Sequence, residues 1–81
     1  MITIYGSMLC KDCVACLEEL DRSGISYDYR DFGDDLQNLK AFLSIRDSEP
    51  IFSQVKEKDG IGIPCICRED GSVTLDWQEF V

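Results

Sequence analysis

Near its N-terminus the chain reads Tyr5-Gly6-Ser7-Met8-Leu9-Cys10-Lys11-Asp12-Cys13-Val14-Ala15-Cys16, a twelve-residue stretch that carries three of its five cysteines. A β-type run, Ile2 to Tyr5, leads into a short loop, and Cys10 and Cys13 lie where an amphipathic helix begins. A thiol in the first turn of a helix faces unpaired N–H groups and the positive end of the helix dipole, which favour its thiolate form. A second thiol three residues later lies one turn further on, close enough to attack a mixed disulfide formed by the first.

The chain of 81 residues makes one domain, residues 1–81, with a small core. A composition that is 44% hydrophobic and 10% aromatic indicates a folded protein rather than a disordered one. We find no run of about 18 apolar residues that would span a membrane, and the N-terminus lacks the basic and apolar regions of a signal peptide. We therefore expect a cytoplasmic protein whose five cysteines remain in a reducing compartment.

Acidic residues outnumber basic ones by sixteen to eight, and the net charge is −8. The carboxylates are dispersed along the chain, which is typical of a solvated surface. Such a field disfavours nucleic acid and anionic membranes as partners, whereas a basic patch on another protein would be attracted. We therefore expect no nucleic-acid partner and no membrane partner.

Apolar periodicity predicts the element order β-α-β-α-(α)-β-β. The predicted strands are 1–5, 25–32, 61–67 and 73–77, and the predicted helices are 10–22, 36–46 and a short one that begins at 48–50. The first two strands are joined through a helix and should be parallel, whereas the last two should form an antiparallel hairpin around Asp70-Gly71.

Local signals set the expected ends of the helices. Gly24 suits the left-handed position that ends the first helix, and Asp34-Asp35 supplies an N-cap for the second. Ser48 is the expected cap of the short helix, with Pro50 in its first turn. We interpret the charged pair Arg46-Asp47 as a solvated helix end.

With the motif, the element order and the segment Gly62-Ile63-Pro64 in view, the chain resembles a glutaredoxin. Four residues, Gly6 to Leu9, separate Tyr5 from Cys10 as in that family, and Gly62-Ile63-Pro64 occupies the place of its Thr-Val-Pro segment. The resemblance covers nearly the whole chain, which is similar to small bacterial glutaredoxin-related proteins with a Cys-x-Asp-Cys-x-x-Cys start. It implies an α/β, minimal thioredoxin (glutaredoxin-like) fold with a mixed four-stranded sheet and a truncated C-terminal helix.

The resemblance also implies roles for individual residues. Cys10 matches the nucleophile, Cys13 the resolving thiol, and Pro64 the proline whose peptide bond is cis and which faces the two cysteines. The backbone of Ile63 would pair with the backbone of a peptide or of glutathione. Lys11 and Asp12 stand where the family has Pro-Tyr, so we count both among the expected substrate-binding residues; their charges have opposite effects on a thiolate at Cys10.

The features of the family that bind glutathione are missing from this chain. Ser7 replaces a basic residue three places before the nucleophile, and the Gly-Gly-x-Asp segment after the last strand is absent. Glutathione is itself anionic and this protein carries −8. We therefore expect no cofactor; glutathione remains a possible thiol, and a thioredoxin-like reductase or another electron donor is at least as well supported.

These observations predict a thiol–disulfide oxidoreductase, a disulfide reductase that uses Cys10 and Cys13 on a disulfide-containing protein or small thiol compound, with a reductase as electron donor. Two alternatives stay open: a zinc or iron–sulfur protein with thiolate ligands, and a redox-inactive thioredoxin-fold interaction module. We assign no metal ligands. Cys16 and Cys67 are expected to pack in the interior, whereas Cys65 either packs there or approaches Cys10.

Overall fold

The computed structural model describes residues 1–81 and contains a four-stranded sheet with helices packed on both faces. The strands are β1 (Ile2–Gly6), β2 (Tyr27–Asp31), β3 (Cys65–Cys67) and β4 (Val73–Thr74); the helices are α1 (Lys11–Arg22), α2 (Leu36–Ser48) and α3 (Ser53–Glu57), with 3₁₀ turns at Pro50–Phe52 and Trp77–Phe80. The predicted α/β class and element order are confirmed, and the architecture is that of a small thioredoxin-like fold. None of the helices combines the length and the apolar character needed to cross a lipid bilayer.

The sheet is mixed, with the strand order β2-β1-β3-β4. The central strand β1 runs parallel to β2, with Ile2 opposite Tyr27, and antiparallel to β3, with Ile4 opposite Ile66. Strands β3 and β4 form the antiparallel hairpin that the Asp70-Gly71 dipeptide predicted. Because β1 lies in the middle of the sheet, the loop that leaves its C-terminal end is held on both sides.

Two hydrophobic clusters cover the two faces of the sheet. On one face, helix α1 packs against strand residues in a cluster made of Ile2, Ile4, Cys16, Leu17, Leu20 and Ile66. On the other face, Phe42, Phe52 and Cys65 form the second cluster, in which the two phenylalanine rings meet edge to face at 5.8 Å. The alternation of side chains along a strand assigns neighbouring residues to opposite clusters.

The predicted helix ends are confirmed at two positions and wrong at a third. Gly24 has a φ of +72° and follows the last turn of α1, and the Asp35 carboxylate accepts a hydrogen bond from the Gln37 N–H at 2.9 Å. Ser48 does not cap the short helix, because it is the last residue of α2 and its hydroxyl donates to the Ser44 carbonyl at 3.0 Å.

The last two strands are shorter than predicted. β3 begins only at Cys65 because Pro64 has no N–H to donate to a neighbouring strand. β4 ends at Thr74, and the Asp76 side chain then accepts a hydrogen bond from the Gln78 N–H and begins a 3₁₀ turn. This turn, Trp77–Phe80, is the truncated C-terminal helix.

Candidate functional site

Cys10 lies immediately before the first residue of α1. Its backbone is extended, with φ −94° and ψ 122°, its N–H donates to the Ser7 carbonyl at 3.0 Å, and its carbonyl accepts from the Val14 N–H at 3.1 Å. The side chain is half-buried and is not used to cap the helix. The thiol is therefore fixed at the N-terminal end of a twelve-residue helix and remains reachable from solvent.

Cys13 lies in the first turn of α1 and is only 1% exposed. Its sulfur packs against β1 at Gly6, where an added Cβ would stand 2.7 Å from Cys13 Sγ. Burial raises the pKa of the Cys13 thiol to about 12; a backbone hydrogen bond at Ser7 lowers this pKa, and an interaction with the Cys10 side chain raises it. Cys13 is thus a protonated thiol at neutral pH, beside the more accessible Cys10.

A groove of about 430 Å³ opens beside Cys10. Ser7 and Cys10 are its polar lining residues, and the other five are aliphatic or aromatic: Leu9, Phe32, Leu39, Ile61 and Ile63. The groove brings together a loop, the end of β2, helix α2 and the segment before β3. It is an apolar cleft with a thiol at its edge.

The Ile63–Pro64 peptide bond is cis, as the resemblance implied, and Pro64 itself is buried. Neither the N–H nor the C=O of Ile63 makes a backbone hydrogen bond within the protein. Ile63 and Cys10 line the same groove, so the segment that carries these two groups lies beside the Cys10 thiol.

Gly62 allows this segment to lie against the second cluster. Its φ is +94°, and an added Cβ would stand 2.6 Å from the Phe52 ring. A residue with a side chain would have to move the segment that carries Ile63.

Arg46 binds the backbone of the two residues that precede Gly62. Its Nε donates to the Ile61 carbonyl at 2.9 Å and its Nη2 donates to the Gly60 carbonyl at 2.6 Å. Arg46 and Asp47 lie at the end of α2 as predicted, and Asp47 is exposed, but the Arg46 side chain is half-buried and bound to the backbone rather than solvated. The sequence missed this contact because the partners are backbone carbonyls 14 and 15 residues away.

Asp31 holds the loop on the other side of the groove. Its carboxylate, in a residue only 9% exposed, accepts hydrogen bonds from the Met8 N–H at 3.1 Å, the Tyr29 hydroxyl at 2.8 Å and the Gly33 N–H at 2.7 Å. These bonds, that from Tyr29 foremost, lower the pKa of the Asp31 carboxyl. Sequence reasoning missed this residue, although Asp31-Phe32-Gly33 has the spacing of an Asx turn.

The other three cysteines do not line the groove. Cys16 is fully buried on the side of α1 that packs against the sheet, as predicted, and burial raises its pKa to about 11. Cys65 and Cys67 pair with Tyr5 and Thr3 of β1, so they point to the face opposite Cys16. Cys65 is fully buried there, burial raises its pKa to about 12, and of its two predicted alternatives the structure supports packing.

The two residues between the motif cysteines lie outside the groove. Lys11 and Asp12 are exposed in the first turn of α1, and neither is a lining residue. All five cysteines are free thiols, and no three acidic or cysteine side chains form a group that could hold a metal ion.

The comparisons with known proteins give one informative relationship. The chain matches no family model and no solved structure. It is 39% identical over 73 residues to an uncharacterized protein of Haemophilus influenzae, and the match covers 90% of this chain and 85% of that protein. The chain therefore belongs to the same family as this Haemophilus influenzae protein.

Proposed function

We propose that the protein is a glutaredoxin-like thiol–disulfide oxidoreductase that works through Cys10 and Cys13. The observation that carries the proposal is the asymmetric pair itself: an accessible thiol at a helix N-terminus lies beside a buried, protonated one. The apolar groove and the unpaired backbone of Ile63 next to this pair support binding of an extended substrate. A cysteine that served only to pack the core would need neither access to solvent nor a second thiol beside it.

Cys10 acts first because it is the thiol that a substrate can reach. Its thiolate attacks one sulfur of the substrate disulfide, so that a bond forms between Cys10 Sγ and that sulfur while the substrate S–S bond breaks. The other substrate sulfur leaves as a thiolate and takes a proton from water. The product is a mixed disulfide on Cys10.

Cys13 acts second, and its burial explains the order. With a pKa raised to about 12, Cys13 stays protonated and does not compete for the incoming disulfide. Its sulfur then attacks Cys10 Sγ, the bond to the substrate breaks, and the proton of Cys13 passes to the departing sulfur. The two electrons of the dithiol have reduced one substrate disulfide to two thiols, and the protein holds a Cys10–Cys13 disulfide.

An external donor must return two electrons before the next cycle. A reductase or a small thiol in a reducing compartment such as the cytoplasm would supply them. Asp31 and Arg46 serve this chemistry indirectly, because they fix the two segments between which the groove lies.

The test compares three cysteine variants in the reduction of insulin disulfides with dithiothreitol as donor. We expect Cys10→Ser to be inactive and Cys13→Ser to accumulate a mixed disulfide with the substrate. Cys67→Ser is the matched control, because this half-buried thiol lies at the end of β3 and does not line the groove, and it should retain native activity. Native activity in Cys10→Ser would refute the proposed function.

A further inference from the structure

We propose that the groove beside Cys10 selects protein disulfides in which an apolar residue flanks the reacting cysteine and the segment carries no negative charge. This inference rests on the proposed function and names its substrate class. Within that class it separates peptide disulfides with apolar neighbours from anionic disulfides such as that of glutathione.

The lining of the groove favours an apolar occupant. Five of its seven lining side chains are hydrocarbon, and none of the seven carries a charge. Its volume of about 430 Å³ leaves room for an aliphatic or aromatic side chain together with part of the main chain beside it. Filling it would remove apolar surface of both partners from water.

Two residues of the groove are far more exposed than their type usually is. Leu9, immediately before Cys10, is 98% exposed, and Ile61 is 59% exposed. Leu9 is absent from both hydrophobic clusters, so it adds little to the stability of the fold. A substrate side chain next to the reacting cysteine would cover this surface.

The charges near the groove disfavour an anionic substrate. Arg46 uses its guanidinium to bind two backbone carbonyls, those of Gly60 and Ile61. Lys11 is followed at once by Asp12, and Asp34 follows soon after the groove residue Phe32. In a protein of net charge −8, a carboxylate entering the groove finds no free cation among the lining residues.

The main chain completes the recognition. Ile63 offers one unpaired N–H and one unpaired C=O at the groove, which can pair with the backbone of an extended segment. Backbone pairing fixes the direction of the segment and is independent of its sequence. Selection therefore falls on the side chain that enters the apolar lining.

The test uses short peptides that differ only in the residue before a single cysteine, which is Leu, Lys, Ala or Glu. Each cysteine is held in a mixed disulfide with thionitrobenzoate, so attack by Cys10 on the peptide sulfur releases the same coloured thiol every time. The glutathione mixed disulfide serves as the anionic reference. The reduced protein reacts once, without a donor, and the second-order rate constant of coloured-thiol release is measured. We expect this constant to be at least about tenfold higher for the Leu peptide than for the Glu peptide, with glutathione close to the Glu peptide.

Two variants assign the preference to the groove. Leu9→Ser should reduce the Leu-to-Glu ratio to about twofold or less. Leu43→Ser, which changes an exposed leucine of α2 outside the groove, should keep the native ratio. Equal rate constants for the Leu and Glu peptides, with release that still depends on Cys10, would overturn this inference alone. Absence of Cys10-dependent release from every substrate would overturn the proposed function with it.

Discussion

The Asp31→Ala substitution removes the carboxylate that ties the Cys10 loop to the end of β2. That carboxylate accepts three hydrogen bonds, from the Met8 N–H, the Tyr29 hydroxyl and the Gly33 N–H, at 2.7 to 3.1 Å. A hydrogen bond contributes about 1 kcal/mol net, and a donor left unpaired away from water loses more. We therefore expect the free energy of unfolding to fall by about 3 kcal/mol, which is a large part of the roughly 5–15 kcal/mol that stabilises a domain.

Urea denaturation measures this loss of free energy of unfolding. It is followed by the fluorescence of Trp77, which packs against the hydrophobic cluster between α1 and the sheet. Asp31→Asn retains one acceptor oxygen and should lose about half as much. The matched control is Asp28→Ala in the same strand, where the carboxylate pairs with Arg30 at the surface, and its loss should be much smaller. Equal losses for Asp31→Ala and Asp28→Ala would refute the claim that Asp31 holds the loop.

Three further predictions concern the same site and its thiols. Gly6→Ala should lower the free energy of unfolding in urea by about 1–3 kcal/mol, because the added Cβ would lie 2.7 Å from Cys13 Sγ; an unchanged midpoint would contradict this packing. The Cys16 thiol loses its proton near pH 9 in the unfolded chain and near pH 11 in the folded protein, so the free energy of unfolding should fall as pH rises through this range. Cys16→Val should make this fall less steep, and an equally steep fall would contradict the assignment of the effect to Cys16. Arg46→Met should raise KM for a peptide disulfide about tenfold with little change in kcat, because the segment before Pro64 loses two charge-assisted hydrogen bonds. Arg46→Lys should recover part of the loss, and an unchanged KM would contradict the claim that Arg46 fixes this segment.

The elements that sequence alone predicted well are those set by local chemistry. Helix α1 begins at Lys11 and ends at Arg22 because a helical apolar pattern is bounded by a loop and by Gly24. Asp35 caps α2 because the short carboxylate reaches the N–H two residues on. These signals depend on neighbours within one turn, so they can be read without the fold.

The strand ends could not be read in the same way. Pairing with β1 decides where β3 begins, and only Cys65 to Cys67 reach that strand. Residues 61 to 64 have β-type side chains but do not join the sheet, and Ile61 and Ile63 line the groove. Pro64 cannot donate a hydrogen bond to a neighbouring strand, and Gly62 turns the chain with a positive φ. Side-chain type predicted an extended segment, whereas the partner strand decides which part of it joins the sheet.

Some features of the candidate site can likewise be read from the sequence, whereas others require the tertiary structure. The spacing of Cys10 and Cys13 and the Ile63–Pro64 segment are visible in the sequence, whereas the groove between them is not. Its lining comes from segments that are separated by more than fifty residues, from Leu9 to Ile63. Asp31 and Arg46 are residue types that usually lie in solvent. Only the tertiary structure shows that Arg46 binds two backbone carbonyls and that Asp31 accepts from two backbone N–H groups and the Tyr29 hydroxyl.

A redox titration with disulfide mapping tests the central claim, that Cys10 and Cys13 form one two-electron couple. The protein is equilibrated without oxygen in thiol–disulfide buffers of defined potential, the free thiols are alkylated, and the linked cysteines are identified by mass spectrometry. We predict a single transition with a midpoint between about −180 and −270 mV, the range of known redoxins, in which Cys10 and Cys13 become protected together while the buried Cys16 and Cys65 stay reduced. Failure to form a Cys10–Cys13 disulfide at any potential in this range, or pairing of Cys10 with another cysteine, would contradict the account.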